Sequence, residues 1–303
     1  MKRILVIGAN PAWEKVLEFN DFQAGEVNRA TRVSGYAAGK ATNFCRALKC
    51  LGALPGHQLT LLDGETGRQF IQDIENQGLI CNFIADGQNL RTCTNCVCKG
   101  TMTELVEPGA PITSALLDQF LALLRAQLPE AVGIAVAGSI PDGSTPHFLP
   151  AIAQIARDAA LPLLLDNYRE ALAALGVKPD LFLKINALEL RKLSGQPTIA
   201  AGLAWFQARY PHATAAITDG ANPAWLLQNG KTIPLPVPAV EVVNPLGAGD
   251  TCSAVFFARM LEGKSAHEAF ADGLAAASAS CLTNLAGEFS LQTARRLRLL
   301  NRI

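Results

Sequence analysis

Short apolar runs rich in β-branched residues alternate along the chain with longer stretches whose apolar positions recur every three or four residues. Residues 2–9 form the first such run and end in Gly-Ala-Asn-Pro, which reads as a buried strand of a parallel sheet followed by a turn. Runs of the same kind lie at 58–62, 132–137, 161–165, 181–185 and 213–217. Between them, helical periodicity predicts helices over 41–51, 66–76, 114–128, 146–160, 187–193 and 199–209. Alternating strand and helix predicts βαβ units, hence the α/β class with a mostly parallel central sheet covered on both faces.

Two regions break the rhythm. Residues 13–35 and 90–106 alternate in polarity, with Thr92, Thr94, Val97, Thr101 and Thr103 in the second, and read as antiparallel strands outside the main sheet. Two insertions of one character can meet as a small sheet over a cleft, or remain a pair of ordinary surface hairpins. Residues 234–238, Pro-Leu-Pro-Val-Pro, read as a short extended connector.

Composition narrows the partners more than the fold. At 303 residues, half of them hydrophobic and 17% charged, the chain can bury a sizeable core as one large α/β domain or two ordinary ones. Acidic and basic residues number 26 each, so no broad field recruits nucleic acid or an anionic membrane, and any phosphate site must be local. Met1-Lys2-Arg3 and the apolar residues after it look superficially like the start of a signal peptide, but Asn10-Pro11 ends the run too soon. No run approaches the length of a membrane span, so a cytoplasmic enzyme or binding protein is expected. The eight cysteines include Cys93-x-x-Cys96-x-Cys98, but no second cluster completes a four-ligand zinc site, and buried thiols are the expectation.

The most informative segment is Asn244-Pro245-Leu246-Gly247-Ala248-Gly249-Asp250-Thr251, which opens into the apolar run Ala254-Val255-Phe256-Phe257-Ala258. Small residues at a helix start present bare backbone N–H groups, which with the helix dipole attract a phosphate. The carboxylate of Asp250 beside them can accept a hydroxyl proton, the pairing that phosphoryl transfer to an alcohol requires. A glycine turn with an Asp cap satisfies the same residues.

No Walker motif is present, because Gly35-Tyr-Ala-Ala-Gly39-Lys40-Ala41 has the wrong spacing. The first strand–helix turn also lacks Gly-x-Gly-x-x-Gly. Gly39, Lys40 and Asn43 open a helix with a close backbone approach, a cation and an amide, suited to a polyhydroxy ligand or an anion. Arg29 and Arg91 lie in the two inserted regions, where an arginine can hold a phosphate bidentately. Ser139 in Gly138-Ser139-Ile140-Pro141 follows a buried strand, at the edge where open α/β sheets bind ligands. Lys184-Ile185-Asn186 with Glu189 also follows a strand. Asn186 and Glu189 can order waters around Mg²⁺ or form a capping box.

In their order along the chain, these segments resemble the ribokinase-like (PfkB) sugar kinases, and within them the branch containing 1-phosphofructokinase and tagatose-6-phosphate kinase. The matching segments are Asn10-Pro11-Ala12, Gly25-Glu26-Val27-Asn28-Arg29, the Gly39-Lys40 loop with Asn43, Arg91-Thr92-Cys93, Gly138-Ser139-Ile140-Pro141, Asp166, Lys184-Ile185-Asn186 with Glu189, and Asn244 to Asp250. The resemblance implies a single ribokinase-like three-layer α/β/α domain over 1–303, with a β lid built from about 12–36 and 90–107. It implies ATP and Mg²⁺ as cofactors and a sugar phosphate as partner, with pairing of lids into a homodimer. Asp250 matches the catalytic base, and Gly247, Ala248 and Gly249 the anion hole. Lys184, Asn186 and Glu189 match positions serving the ATP phosphates and magnesium waters, and Thr218, Gly220 and Ser278 the nucleotide pocket. Glu14, Arg29, Gly39, Lys40, Asn43, Arg91 and Ser139 fall at the sugar or sugar-phosphate site.

Three departures bear on the substrate. Glu14 stands where relatives usually carry Asp, the Gly-Gly-Lys-Gly loop is Ala38-Gly39-Lys40-Ala41, and Val255 replaces a common Gly. The longer Glu14 moves a carboxylate by about one C–C bond, and two alanines narrow the backbone freedom of the loop. The expected activity is ATP-dependent phosphorylation of a ketohexose phosphate. A kinase of an unphosphorylated sugar or nucleoside, or a non-catalytic sensor on the same scaffold, are the alternatives.

Overall fold

A computed structural model describes residues 2–300. The chain begins β1 (Arg3–Gly8), β2 (Ala12–Phe19), β3 (Arg32–Ala38), α1 (Lys40–Leu51), β4 (Gly56–Asp63), α2 (Gly64–Asn76), β5 (Ile80–Asn89), β6 (Thr92–Cys98) and β7 (Thr101–Val106). It continues α3 (Ser114–Gln127), β8 (Ala131–Ala137), α4 (Phe148–Asp158), β9 (Leu163–Asp166), α5 (Ala171–Val177), β10 (Phe182–Asn186), α6 (Ala187–Ser194) and α7 (Ile199–Arg209). It ends β11 (Thr214–Asp219), β12 (Asn222–Gln228), β13 (Lys231–Leu235), α8 (Ala248–Leu261), α9 (Ala266–Ser280) and α10 (Leu291–Leu300).

A nine-stranded sheet runs β13-β12-β11-β10-β9-β8-β1-β4-β5, parallel except for the β11–β12 and β12–β13 ladders. Successive residues of β1 face opposite sides. Leu5 and Ile7 pack in one core with Phe120 of α3, Phe148 of α4, Leu190 of α6 and Phe206 of α7. Ile4 and Val6 pack in the other with Phe44 of α1, Phe256 and Phe257 of α8 and Phe270 of α9. Burial on both faces is why this strand reads as a continuous apolar run. From β1 the chain moves to β4 and β5, then returns to the other side at β8. That reversal opens a crevice at the C-terminal ends of the strands, the usual ligand position in open α/β sheets.

The two inserted regions do meet. Each is an antiparallel hairpin, β2–β3 and β6–β7, and a parallel β2–β6 ladder joins them into a sheet ordered β3-β2-β6-β7. This corrects the all-antiparallel expectation: hairpins from separate insertions are free to pair side by side in either sense. Ala37, Leu62, Phe70, Ile74 and Leu90 form a small core that seats the root of this sheet on α2.

The predicted extended connector is also partly a strand, since β13 extends to Leu235 and pairs with β12. Asn229 and Gly230, both at positive φ (51° and 73°), make its tight hairpin turn. Among the described residues no helix is long and apolar enough to cross a membrane.

Candidate active site

Asp250 lies in the first turn of α8 and is 6% exposed. Gly247 caps this helix at φ 76°, and a side chain there would strike the backbone of Gly287 and the methyl of Ala286. The tight turn brings the helix N-terminus to the floor of a cleft; Ala248 N donates to the carbonyl of Pro245 at 3.4 Å, and the first N–H groups after it are left for a ligand. The cleft has a volume of about 890 Å³, within the range of small-molecule sites. Its lining joins strand ends of the main sheet (Gly138, Asp166, Lys184 and Thr218) to Glu14, Tyr36 and Glu104 of the smaller sheet and to Arg91 just before β6, so that the smaller sheet forms part of its wall.

Four charged side chains interlock on the floor. Lys40, at the start of α1, donates from Nζ to Asp166 Oδ1 at 2.9 Å. Ser253 Oγ donates to Asp166 Oδ2 at 2.6 Å, and Lys184 Nζ stands 3.9 Å from that oxygen. Asp250 Oδ2 accepts from Asn43 Nδ2 at 2.8 Å. Burial opposes ionisation of Asp166, but Lys40, Lys184 and the hydrogen bonds outweigh it and hold the carboxyl below its ordinary range. For Asp250 the balance is reversed. Burial, with the charge of Asp166, raises it against the pull of Lys40, Asn43 and Lys184. Asp166 in turn raises Lys40, helped by Asp250 and Glu189 and opposed by burial. Two neighbouring carboxylates are thus driven apart, one a fixed counter-ion and one poised to take a proton.

The structure brings Gly39, Lys40, Asn43, Arg91, Ser139 and Glu14 into the lining of the cleft. Asn10 Nδ2 donates to Ser139 Oγ at 3.1 Å. Glu14 is nearly buried and accepts from Asn95 Nδ2; burial and Glu104 raise its carboxyl. The guanidinium of Arg91 donates to the backbone carbonyls of Pro11, Glu107 and Asn10, each at 3.1 Å. Arg29 is exposed on the lid and does not line the cleft.

Lys184, Asn186, Glu189, Thr218, Gly220 and Ser278 line the same cleft. Asn186 and Glu189 form a reciprocal capping box at the start of α6: Asn186 Oδ1 accepts from Glu189 N, and Glu189 Oε2 from Asn186 N, each at 2.8 Å. This uses one oxygen of the Glu189 carboxylate. Ser278 Oγ donates to the carbonyl of Pro238 at 2.8 Å, anchoring the segment that lines this end.

Sequence reasoning matched Asp166 to a pattern without assigning it a task. Its signal was an acid ending the apolar run Leu163-Leu164-Leu165, at a strand's C-terminal edge. The departures have local explanations. The methyl of Ala41 sits against Gly8, where an added Cβ would approach it to 2.6 Å. Val255 is buried in the core beneath α8. Cys93 and Cys96 are buried on β6, with Cys98 half-buried.

A family model described as pfkB family carbohydrate kinase matches residues 1–294. Among solved structures, a protein assigned as a phosphofructokinase from Staphylococcus aureus is 27% identical, with 98% of this chain and 96% of that chain covered and a TM-score of 0.81. Phosphofructokinase-2 from Escherichia coli is similar in its tetrameric inhibited form (20% identity, both chains fully covered, TM-score 0.88). Its complex with fructose-6-phosphate is similar too (19% identity, both chains fully covered, TM-score 0.82). A protein assigned as a 1-phosphofructokinase from Thermotoga maritima shares 17% identity over 98% of this chain and 97% of that chain, with a TM-score of 0.85.

Proposed function

The chain belongs to the pfkB family of carbohydrate kinases, and from that premise we propose that it transfers the terminal phosphoryl group of ATP to a hydroxyl of a ketohexose phosphate, such as fructose 1-phosphate, fructose 6-phosphate or tagatose 6-phosphate. One observation carries the reading: Asp250 is buried with a raised pKa, in the first turn of the helix whose small residues have Lys184 against them.

In this reading the acceptor hydroxyl lies at Asp250, with Oδ2 held by Asn43 and Oδ1 left to receive the proton. As the hydroxyl oxygen bonds to phosphorus, its proton passes to Asp250 and the bond to the departing ADP oxygen breaks. Charge on the transferring group is met by the N-terminal N–H groups at Gly247, Ala248 and Gly249 and by the Lys184 ammonium, positioning and electrostatics rather than covalent chemistry. The glycine backbone, left bare beside a buried lysine, fits a polyphosphate. Asn186 and Glu189 fit a magnesium ion held through water, which supplies further charge neutralisation on the phosphates when bound. Thr218, Gly220 and Ser278 hold the nucleotide. Glu14, Gly39, Lys40, Asn43 and Ser139 hold the sugar, and Arg91 with Lys40 its phosphate; Arg29, outside the cleft, takes no part in this reading. Lid closure excludes water and limits wasteful hydrolysis. Exposed Val33, Met102 and Leu105 on the lid suit a homodimer through it.

A kinase of an unphosphorylated sugar or nucleoside is the second reading, favoured by the commitment of Arg91 to three backbone carbonyls. Coupled ADP release over fructose 1-phosphate, fructose 6-phosphate, tagatose 6-phosphate, free hexoses and nucleosides separates them, with Asp250→Asn as control. Release with a sugar phosphate alone supports the first reading, and release with free sugars or nucleosides the second. No acceptor-dependent release from the whole panel favours the non-catalytic sensor.

A further inference from the structure

Arg46 on α1 is 3% exposed and does not line the cleft, yet its guanidinium ties together four segments. Nη1 donates to Asn43 Oδ1 at 3.0 Å and to the carbonyl of Ala286 at 3.4 Å. Nη2 donates to the carbonyl of Ala37, at the root of the lid, and Nε to Gln77 Oε1 at 2.6 Å. The group lies over the Tyr36 ring, 5.7 Å from its centroid. Burying a guanidinium is costly, and an apolar side chain of similar length fills such a space without that cost. Packing alone does not account for it.

An arginine only donates, so the Asn43 carbonyl oxygen must face it. That turns the Asn43 N–H toward Asp250 Oδ2, 2.8 Å away. With the arginine gone, the carboxamide is free to rotate half a turn once Asp250 is protonated, and its oxygen then accepts from the carboxylic acid, which favours the protonated form. Relying on the reading of Asp250 as the base, we infer that Arg46 is a positioning residue that locks the Asn43 amide with its N–H toward the base. The other charges facing Asp250 are Lys40 from α1, Asp166 from β9 and Lys184 from β10. Those around Arg46 are Asp73 from α2, Tyr36 from β3, Glu288, Cys45 from α1 and Glu14 from β2. None of these fixes the orientation of the amide.

The test is the titration of Asp250 in protein labelled with ¹³C-carboxyl aspartate, its resonance assigned by the signal lost in Asp250→Asn. In Arg46→Met, Asp250 protonates about one to two pH units higher than in the wild type, the worth of a hydrogen bond to a charged group. Asn43→Ala shifts it in the same direction, and adding Arg46→Met to Asn43→Ala moves it no further. An Arg46→Met protein that melts cooperatively, with Asp250 titrating as in the wild type, overturns the inference and leaves Arg46 a structural residue. Should Arg46→Met not fold, Arg46→Lys keeps a donor without the fork. A smaller upward shift is expected there, and a shift in Arg46→Lys/Asn43→Ala beyond that of Asn43→Ala alone overturns the inference, because Arg46 would then act on Asp250 without the amide. The titration needs no sugar, so it stands apart from the base reading, which fails separately if Asp250→Asn retains full turnover.

Discussion

The Lys184 ammonium lies against the backbone of Gly249: a methyl group on residue 249 would stand 2.9 Å from Nζ. Position 249 is helical, where alanine is favoured over glycine by up to about 1 kcal/mol, and the crowded atom is the free end of a flexible side chain. Gly249→Ala therefore folds with unchanged or slightly raised Tm, but pushes Lys184 off its station. The expected result is a fall in kcat on the order of 10- to 100-fold, as misplacement of a positioning group gives. A variant with wild-type kcat shows that Lys184 need not touch this helix.

In the proposed reading Asp250→Asn removes the proton acceptor and keeps the shape, so kcat falls by about 10²- to 10⁴-fold. In the wild type, kcat/KM should decline on acidification through a range above that of an ordinary carboxylate, because burial and Asp166 raise Asp250 in the free protein. Stability moves the other way. A raised carboxyl binds its proton more tightly folded than unfolded, so ionising it at neutral pH destabilises the fold. Asp250→Asn should gain a few degrees of Tm at pH 7, a gain that disappears below about pH 4. Thermal melts across that range check it.

Lys40→Met leaves Asp166, 1% exposed, facing Lys184 at 3.9 Å as its remaining ion-pair partner. The depressed Asp166 carboxyl contributes stability above about pH 4 that is lost as pH falls through its folded value, and the raised Lys40 contributes stability below about pH 10. The Tm deficit of Lys40→Met should accordingly be full between those limits and shrink as pH falls below about 4, where the unfolded chain takes up a proton at Asp166 that the folded wild type resists. A deficit that persists unchanged at pH 3 would point to lost packing of the lysine stem instead.

Arg91 has one duty in the structure and a second in the proposed reading, and one assay separates them. Its three bonds to carbonyls brace the lid root for any substrate, whereas a phosphate contact matters only for a phosphorylated one. For Arg91→Glu, the ratio of kcat/KM for a sugar phosphate to that for the same free sugar should fall by about 100-fold or more, the worth of a charge-assisted contact reversed in sign. An unchanged KM for every accepted substrate rules out the phosphate anchor.

Regular elements were legible wherever burial imposed a period, as in β1, whose residues 4–7 face two cores, and α7, found at its predicted bounds. Missed elements carried local signals that a search for periodicity passes over. Asn229-Gly230 marks the β12–β13 hairpin, and Ser265-x-x-Glu268 caps α9. The candidate site was legible as a set of segments and opaque as a network. Nothing in the spacing of Lys40, Asp166 and Ser253 says that they share one carboxylate, because those contacts span 126 and 87 residues. Asn186-x-x-Glu189 fits either a cap or a magnesium site, and its capping box leaves one carboxylate oxygen for the second role.

Ala41 and Gly8 form a pair in which one substitution accommodates the other. The loop resembles a Gly-Lys-Gly sequence but carries Ala41, and its methyl occupies the space that a side chain at position 8 would need, at 2.6 Å. Both residues lie on the cleft wall, where β1 meets α1. Gly8→Ala should overpack this junction at about 1–3 kcal/mol, and with it shift the Asn10 and Lys40 backbones, raising KM for the acceptor. Ala41→Gly alone should cost about 1 kcal/mol in helix propensity and loosen the loop. In Gly8→Ala/Ala41→Gly the methyl has moved from helix to strand without a net change in volume. Most of the lost stability and KM should return, giving a coupling of about 1 kcal/mol or more in a double-mutant cycle. Strict additivity of the two variants would show that the methyl is not what holds β1 and α1 at this distance.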